Sequence, residues 1–247
     1  MTQSDGAIRI AMWSGPRNIS TALMRSFENR PDTVVLDEPF YAAYLEATGL
    51  DHPVRDAVIS AGQTDPMRVV ECLSAEPTGG ARVFYQKHMT HHMLPHFPRE
   101  WLLGMVNCFL IRRPEDVVAS YAAKRADVTF ADLGFAEQAE IFDSVAQRLG
   151  AAPPVIEGRE VLMNPERLLK ALCAVCGIAF TNHMLQWPTG RRGSDGIWAA
   201  HWYGEVERSV GFGPPSPPAG ELPVQLARLA ERALPIYERL YALRLTG

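Results

Sequence analysis

The sequence predicts an α/β fold with a mainly parallel central sheet of about five strands and a C-terminal helical extension. Two observations predict it. Short apolar, β-branched runs alternate with helical patterns along the chain, as strands joined by helices do. The 247 residues are 47% apolar and 21% charged, an ordinary globular composition that argues against a disordered or fibrous chain. No internal repeat is visible, and one domain over residues 1–247 accounts for the length.

The elements follow in order. An apolar strand over 7–13 runs into Ser14-Gly15-Pro16-Arg17-Asn18 and then a helix over about 20–29, which Pro31 stops. A β-branched strand over 33–36 ends at Asp37-Glu38-Pro39. Residues 51–76 predict two short helices broken by Gly62 and Pro66. After the turn Thr78-Gly79-Gly80 comes a strand over 81–87, and a fourth strand spans 106–111. Pro114 starts a helix to about residue 125, and a longer helix covers about 135–149. A fifth strand is expected at 154–157, and Asn164-Pro165-Glu166 opens the next helix. Residues 210–221 form a Pro/Gly-rich linker to a C-terminal helix over 222–244, where Pro235 is expected to produce a kink.

Charge and cysteine usage narrow the classes. With 24 Lys+Arg against 28 Asp+Glu, the formal charge is −4, which argues against nucleic acid as a partner. Only Lys87, Lys124 and Lys170 are lysines, so arginine dominates the basic residues. Arginine excess fits a coding bias, or guanidiniums placed as planar anion clamps. Cys173 and Cys176 form a C-x-x-C, but within an apolar helical stretch where i and i+3 share a face, so buried thiols are expected. The polar start and the short, Arg9-containing first apolar run predict no secretory signal. No run reaches the ~18 apolar residues of a membrane span, so no membrane partner is expected and the cytoplasm is the default.

Three segments carry anion-binding chemistry. Trp13 to Thr21 is a strand, a loop and a helix start, which is a natural phosphate cradle. Arg17 adds charge, and Ser20 and Thr21 add hydroxyls. The Walker A pattern is absent. Arg112 to Ser120 again joins a strand end to a helix, where ligands of parallel sheets bind. Gly190-Arg191-Arg192-Gly193 is a flexible basic loop able to wrap an anion.

Together these segments resemble the sulfotransferases that use 3'-phosphoadenosine 5'-phosphosulfate (PAPS). Pro16-Arg17-Asn18-Ile19-Ser20-Thr21 is similar to that family's P-K-S-G-T-T loop. Arg112, Pro114, Asp116 and Ser120 fit R-x-P-x-D-x-x-x-S, and Arg191-Arg192-Gly193, Gly196 and Trp198 fit R-K-G-x-x-G-x-W. The resemblance covers about residues 7–200 and implies a P-loop-like, three-layer fold with PAPS as co-substrate and no metal. It places Arg17, Asn18, Ser20 and Thr21 at the 5'-phosphosulfate. It places Arg112, Ser120, Arg191, Arg192 and Gly193 at the 3'-phosphate, which makes two separated anion sites. Arg17 stands where the family usually has Lys. Ile19 replaces a Gly, so the loop is expected to follow a different path, because φ > 0 is unfavourable there.

Sulfuryl transfer to a hydroxyl needs a base for the acceptor proton and positive charge at the leaving oxygen. His88, after the third strand, and Glu38, after the second, are the two candidates, with Lys87 and Arg17 supplying positive charge. His88 and His92 have i, i+4 spacing, but no third ligand is marked, so no metal is expected. The expected acceptor is a small molecule. The rival readings are a nucleotide-dependent phosphotransferase and a non-catalytic nucleotide-binding protein.

Overall fold

The computed structural model describes residues 6–125 and 127–246. The polar start at 1–5, read above for a leader, lies outside them. In chain order the elements are β1 (Ile8–Ser14), α1 (Ser20–Glu28), β2 (Thr33–Asp37), α2 (Tyr41–Thr48), α3 (Arg55–Ala61), α4 (Pro66–Ser74) and β3 (Val83–Met89). Then follow β4 (Val106–Ile111), α5 (Pro114–Ala122), α6 (Phe135–Leu149), β5 (Val155–Glu157), α7 (Gly158–Met163) and α8 (Pro165–Val175). The chain closes with α9 (Ala199–Trp202), α10 (Gly204–Arg208) and α11 (Val224–Tyr241).

The five strands form one sheet in the order β2-β3-β1-β4-β5, and every pairing is parallel. Such a sheet is covered on both faces, so its central strands read as continuous apolar runs. Alternation sorts them. Ile10, Met12, Tyr85, Cys108 and Leu110 pack on Leu23, Met24 and Phe27 of α1 and Leu168, Leu169 and Leu172 of α8. Ala11, Trp13, Phe109 and Ile111 face the other way, toward Val69 and Leu73 of α4, Ile141, Phe142 and Val145 of α6, and Leu240 of α11. The result is the three-layer arrangement expected. At the β5 edge, Leu245 N donates to Val155 O (2.8 Å), so the tail occupies part of the open strand.

Several boundaries differ from the sequence expectation. α2 was not expected: its first five residues are all buried, so it lacks the polar face that reveals a helix by periodicity. α7 has six residues, too few for a pattern. β3 starts and ends two residues later than predicted, which moves His88 from the following loop into the strand. Pro235 lies inside α11 without ending it. Cys173 and Cys176 are buried free thiols, with Cys176 Sγ 3.6 Å from Cys108 Sγ. The linker is fastened by Ala219 N donating to Asp116 Oδ1 (2.8 Å). Among the described residues, no helix is long and apolar enough to cross a membrane.

Candidate active site

Parallel strands all end on one side of the sheet, and the segments leaving those ends converge there. β1 delivers the loop from Pro16 to Thr21, β2 delivers Glu38, β3 delivers Lys87 and Met89, and β4 delivers Arg112. All of them line one cavity of about 310 Å³.

One end of the cavity is built for an anion. Arg17 (φ 62°) and Ile19 (φ 59°) are both left-handed, and Ile19 is the N-cap of α1 with no side chain capping the helix. Alternating handedness turns backbone N–H groups inward, beside the positive end of the helix. Arg17 Nε donates to Ser120 Oγ (2.9 Å), and Arg112 Nη1 donates to the backbone oxygen of Arg17 (2.7 Å). Among the described residues neither guanidinium closes on a carboxylate. Burial and their mutual repulsion lower the Arg17 pKa, and burial first lowers that of Arg112. Glu205 acts on Arg17, and Asp116 and Glu157 act on Arg112, without a salt bridge among the described residues, so the two converging, half-buried guanidiniums keep donors suited to an anion.

The other end holds a buried polar cluster. Lys87 Nζ donates to Asp37 Oδ1 (2.8 Å), Glu38 Oε1 (2.5 Å) and the Tyr203 hydroxyl (2.7 Å). Tyr203 in turn donates to Asp37 Oδ2 (2.6 Å) and accepts from Trp198 Nε1 (3.2 Å). The Lys87 and Asp37 side chains are each 1% exposed, and that of Glu38 is 10% exposed. Burial and the neighbouring Asp37 raise the Glu38 pKa against the pull of Lys87. The two carboxylates raise that of Lys87 despite its burial. Glu38 itself has φ 44°, so it too is left-handed.

The structure thus brings Arg17, Asn18, Ser20, Thr21, Glu38, Lys87 and Arg112 to one cavity, with Ser120 held by Arg17. It does not bring His88 there. On β3, His88 alternates away from Lys87, is 1% exposed and stacks on Trp13 (4.5 Å between rings) within the apolar layer under α4 and α6. Burial, then Lys87, pushes its pKa down to about 3. Arg191, Arg192 and Gly193 also lie outside the cavity lining. Their loop is docked on α1: Asp195 binds Arg25 (2.6 Å) and accepts from Arg192 N (2.7 Å), while Arg192 Nη2 donates to Pro188 O (2.6 Å). Two expectations about the loop change as well. Ile19 adopts φ > 0 even though it is β-branched, so the left-handed conformation expected to be unfavourable there is the one observed. Arg17 and Ser120, assigned to opposite phosphates, are in direct contact.

Of the opposite wall the sequence offered Tyr41 and Trp202 as aromatic pocket candidates, and the rest went unread as lining residues: His52, His91, His92, Tyr121, Tyr203 and Glu205 line it, together with Ser209, Gly211, Phe212 and Gly213. The Gly-x-Gly at 211–213, inside the stretch read as a linker, was the available signal.

A family model described as a sulfotransferase domain matches residues 8–244, nearly the whole chain. The chain belongs to the sulfotransferase family. Curated relatives of the chain include branched-chain-amino-acid aminotransferase-like proteins 1 and 2 of Arabidopsis thaliana, 37% and 36% identical over 231 residues. Those residues are 94% of this chain and 41% of each relative, so the chain spans about two fifths of the curated relatives it matches. Among solved structures, the sulfotransferase domain of the curacin biosynthetic pathway matches with TM-score 0.53 and 17% identity, covering 93% of this chain and 98% of that one. A sulfotransferase from Alicyclobacillus acidocaldarius matches with TM-score 0.57 and 12% identity, covering 96% of both chains. At these identities the structural likeness concerns the fold.

Proposed function

We propose that this sulfotransferase moves a sulfuryl group from PAPS to a hydroxyl of a small molecule in the cytoplasm. One observation carries the reading. A pair of guanidiniums that forms no salt bridge among the described residues, at the N-terminus of α1, shares a single cavity with a lysine-anchored carboxylate. The first feature suits the phosphates of a nucleotide. The second suits a base.

Asn18, Ser20, Thr21 and the left-handed turns at Arg17 and Ile19 bind the phosphosulfate end. Arg112, with Ser120, takes the remaining phosphate. Glu38 accepts the acceptor proton, and its raised pKa makes it a stronger base than an ordinary surface carboxylate. Lys87 holds Glu38 in place and, with Arg17, balances the charge that grows on the leaving phosphate oxygen. His88 is no longer part of the proposed machinery, and neither are Arg191, Arg192 and Gly193. The proposal includes no metal.

Calorimetry with 3'-phosphoadenosine 5'-phosphate (PAP), the product nucleotide, tests the donor. PAP is expected to bind without a divalent metal and more tightly than ATP–Mg. Tight ATP–Mg binding with no response to PAP would overturn the proposal in favour of a phosphotransferase. If PAP binds but Glu38→Gln leaves turnover of every accepted hydroxyl unchanged, the base assignment fails.

A further inference from the structure

Resting on the base reading above, we propose that Tyr203 is a positioning residue: its hydroxyl, oriented by Trp198, ties Lys87 to Asp37 and leaves Glu38 as the carboxylate that takes a proton. Donors and acceptors at this hydroxyl add up in one way. An ammonium has three protons, and Lys87 gives them to Asp37 Oδ1 (2.8 Å), Glu38 Oε1 (2.5 Å) and the Tyr203 oxygen (2.7 Å). The same oxygen also accepts from Trp198 Nε1 (3.2 Å). Its one proton then has two carboxylates within reach, Asp37 Oδ2 at 2.6 Å and Glu38 Oε1 at 3.4 Å, and the shorter bond wins. Asp37 therefore has a donor on each oxygen. Glu38 has Lys87 on one oxygen, while Oε2 lies 4.0 Å from His92 Nδ1, beyond hydrogen-bond reach. A proton arriving from the cavity finds its open lone pair on Glu38.

The Gly196 and Trp198 pair singled out in the sequence finds its use here. A Cβ on Gly196 would lie 2.2 Å from Trp198 Cζ2, so the indole folds back over a residue without one. The same loop is pinned to α1 by the Asp195–Arg25 pair, whose side chains are buried. Trp198 also meets Tyr41 edge-on at 5.1 Å, which fixes the direction of its N–H.

The groups that face Glu38 come from several elements: Asp37 from β2, Lys87 from β3, Tyr41 from α2, His92 from the turn after β3 and Tyr203 from the junction of α9 and α10. Burial, then His91, pushes the His92 pKa well below its ordinary value, so that ring is neutral at pH 7. Burial, then Asp37 and Glu38, holds the Tyr203 pKa well above its ordinary value, so the hydroxyl keeps its proton and is not itself the base. Removing the hydroxyl leaves the two carboxylates with Lys87 alone. Glu38 loses the weak pull of Tyr203 and part of the ammonium, which Asp37 now draws, so the Glu38 pKa goes up.

The test is an isotope-edited NMR titration of the Glu38 carboxyl carbon in the full chain, with Glu38→Gln identifying the signal by its loss. Tyr203→Phe is expected to raise the Glu38 midpoint by about one pH unit, the size of one charge-assisted hydrogen bond. Trp198→Phe keeps a ring over Gly196 and is expected to move the midpoint the same way by less. Adding it to Tyr203→Phe is expected to change nothing more, since Trp198 acts through the hydroxyl. A role confined to packing would lower Tm and leave the midpoint in place. An unmoved or lowered midpoint in Tyr203→Phe, or shifts that simply add in the double variant, overturns the assignment. If Tyr203→Phe fails to fold, an unmoved midpoint in Trp198→Phe overturns it alone. Retained turnover in Glu38→Gln overturns the base reading instead.

Discussion

Replacing Lys87 by Met removes one cation from a site where two carboxylates already face each other. In the wild type the ammonium sits 2.8 Å from Asp37 and 2.5 Å from Glu38, with the lysine and aspartate side chains 1% exposed. Breaking a buried ion pair by deleting one partner costs about 3–5 kcal/mol, because the remaining charge stays buried and unpaired. For a chain of this length each kcal/mol shifts Tm by about 2–4 °C, so the variant is expected to melt about 6–20 °C lower at pH 8. The defect depends on pH with a definite sign. Without the lysine, burial and like-charge repulsion drive a carboxylate pKa above its unfolded value. Such a group contributes stability that is fully present below the unfolded pKa and is lost as pH rises through the folded one. The gap between Lys87→Met and wild type therefore narrows as pH falls from 8 toward 5. Glu38→Gln/Lys87→Met is expected to be more stable than Lys87→Met alone at pH 8, since it removes one of the two opposed charges. Thermal denaturation of the three proteins across pH decides the matter. A loss below about 1 kcal/mol, or a loss of the same size at every pH, would refute the buried-cluster argument.

Glu38→Gln is expected to lower turnover from PAPS by about 10²–10⁴-fold with PAP affinity unchanged, read by steady-state kinetics and calorimetry. Arg112→Ala removes a charged hydrogen-bonding group and should weaken PAP by about 10–100-fold, whereas Arg192→Ala should have a smaller effect because Arg192 is turned toward Pro188. His88→Phe keeps a flat ring against Trp13 but removes the buried hydrogen bond to Gln86 Oε1 (3.3 Å), so it should cost about 1–3 kcal/mol, with PAP binding and turnover retained. Loss of turnover in a folded His88→Phe protein would restore His88 as the base.

The layers were legible because strand and helix periods differ. Val106–Ile111 and Phe135–Leu149 match their predicted bounds residue for residue. The anion loop and Arg112 were legible for a related reason: in a parallel sheet, whatever follows the end of a strand is carried to the same edge. What sequence order cannot report is the side toward which a residue points when a strand boundary is two residues off. That is how His88 came to be read as a loop residue, although in β3 it alternates away from Lys87 into the core. Tyr203 was illegible for another reason. It lies 166 positions from Asp37, and only the packing of α9 and α10 over the strand ends brings its hydroxyl to 2.6 Å from that carboxylate.

Backbone strain ties the loop and the carboxylate into one device. The described non-glycine residues with positive φ are Arg17, Ile19, Glu38 and Val54, and the first three line the cavity. Each costs on the order of 1–3 kcal/mol and persists only where its surroundings over-determine it. The restraints at the cavity are visible. Glu38 N donates to Lys87 O and its own oxygen accepts from Tyr41 N, while the Lys87 ammonium grips its side chain. Arg112 holds the Arg17 carbonyl. The Ile19 side chain packs against the core layer that holds Leu23 and Val161, and its carbonyl accepts from Leu23 N. A glycine at position 19 would adopt the same turn without strain, but it would forfeit that packing. Isoleucine therefore holds the left-handed turn and fastens it to the body of the protein at once.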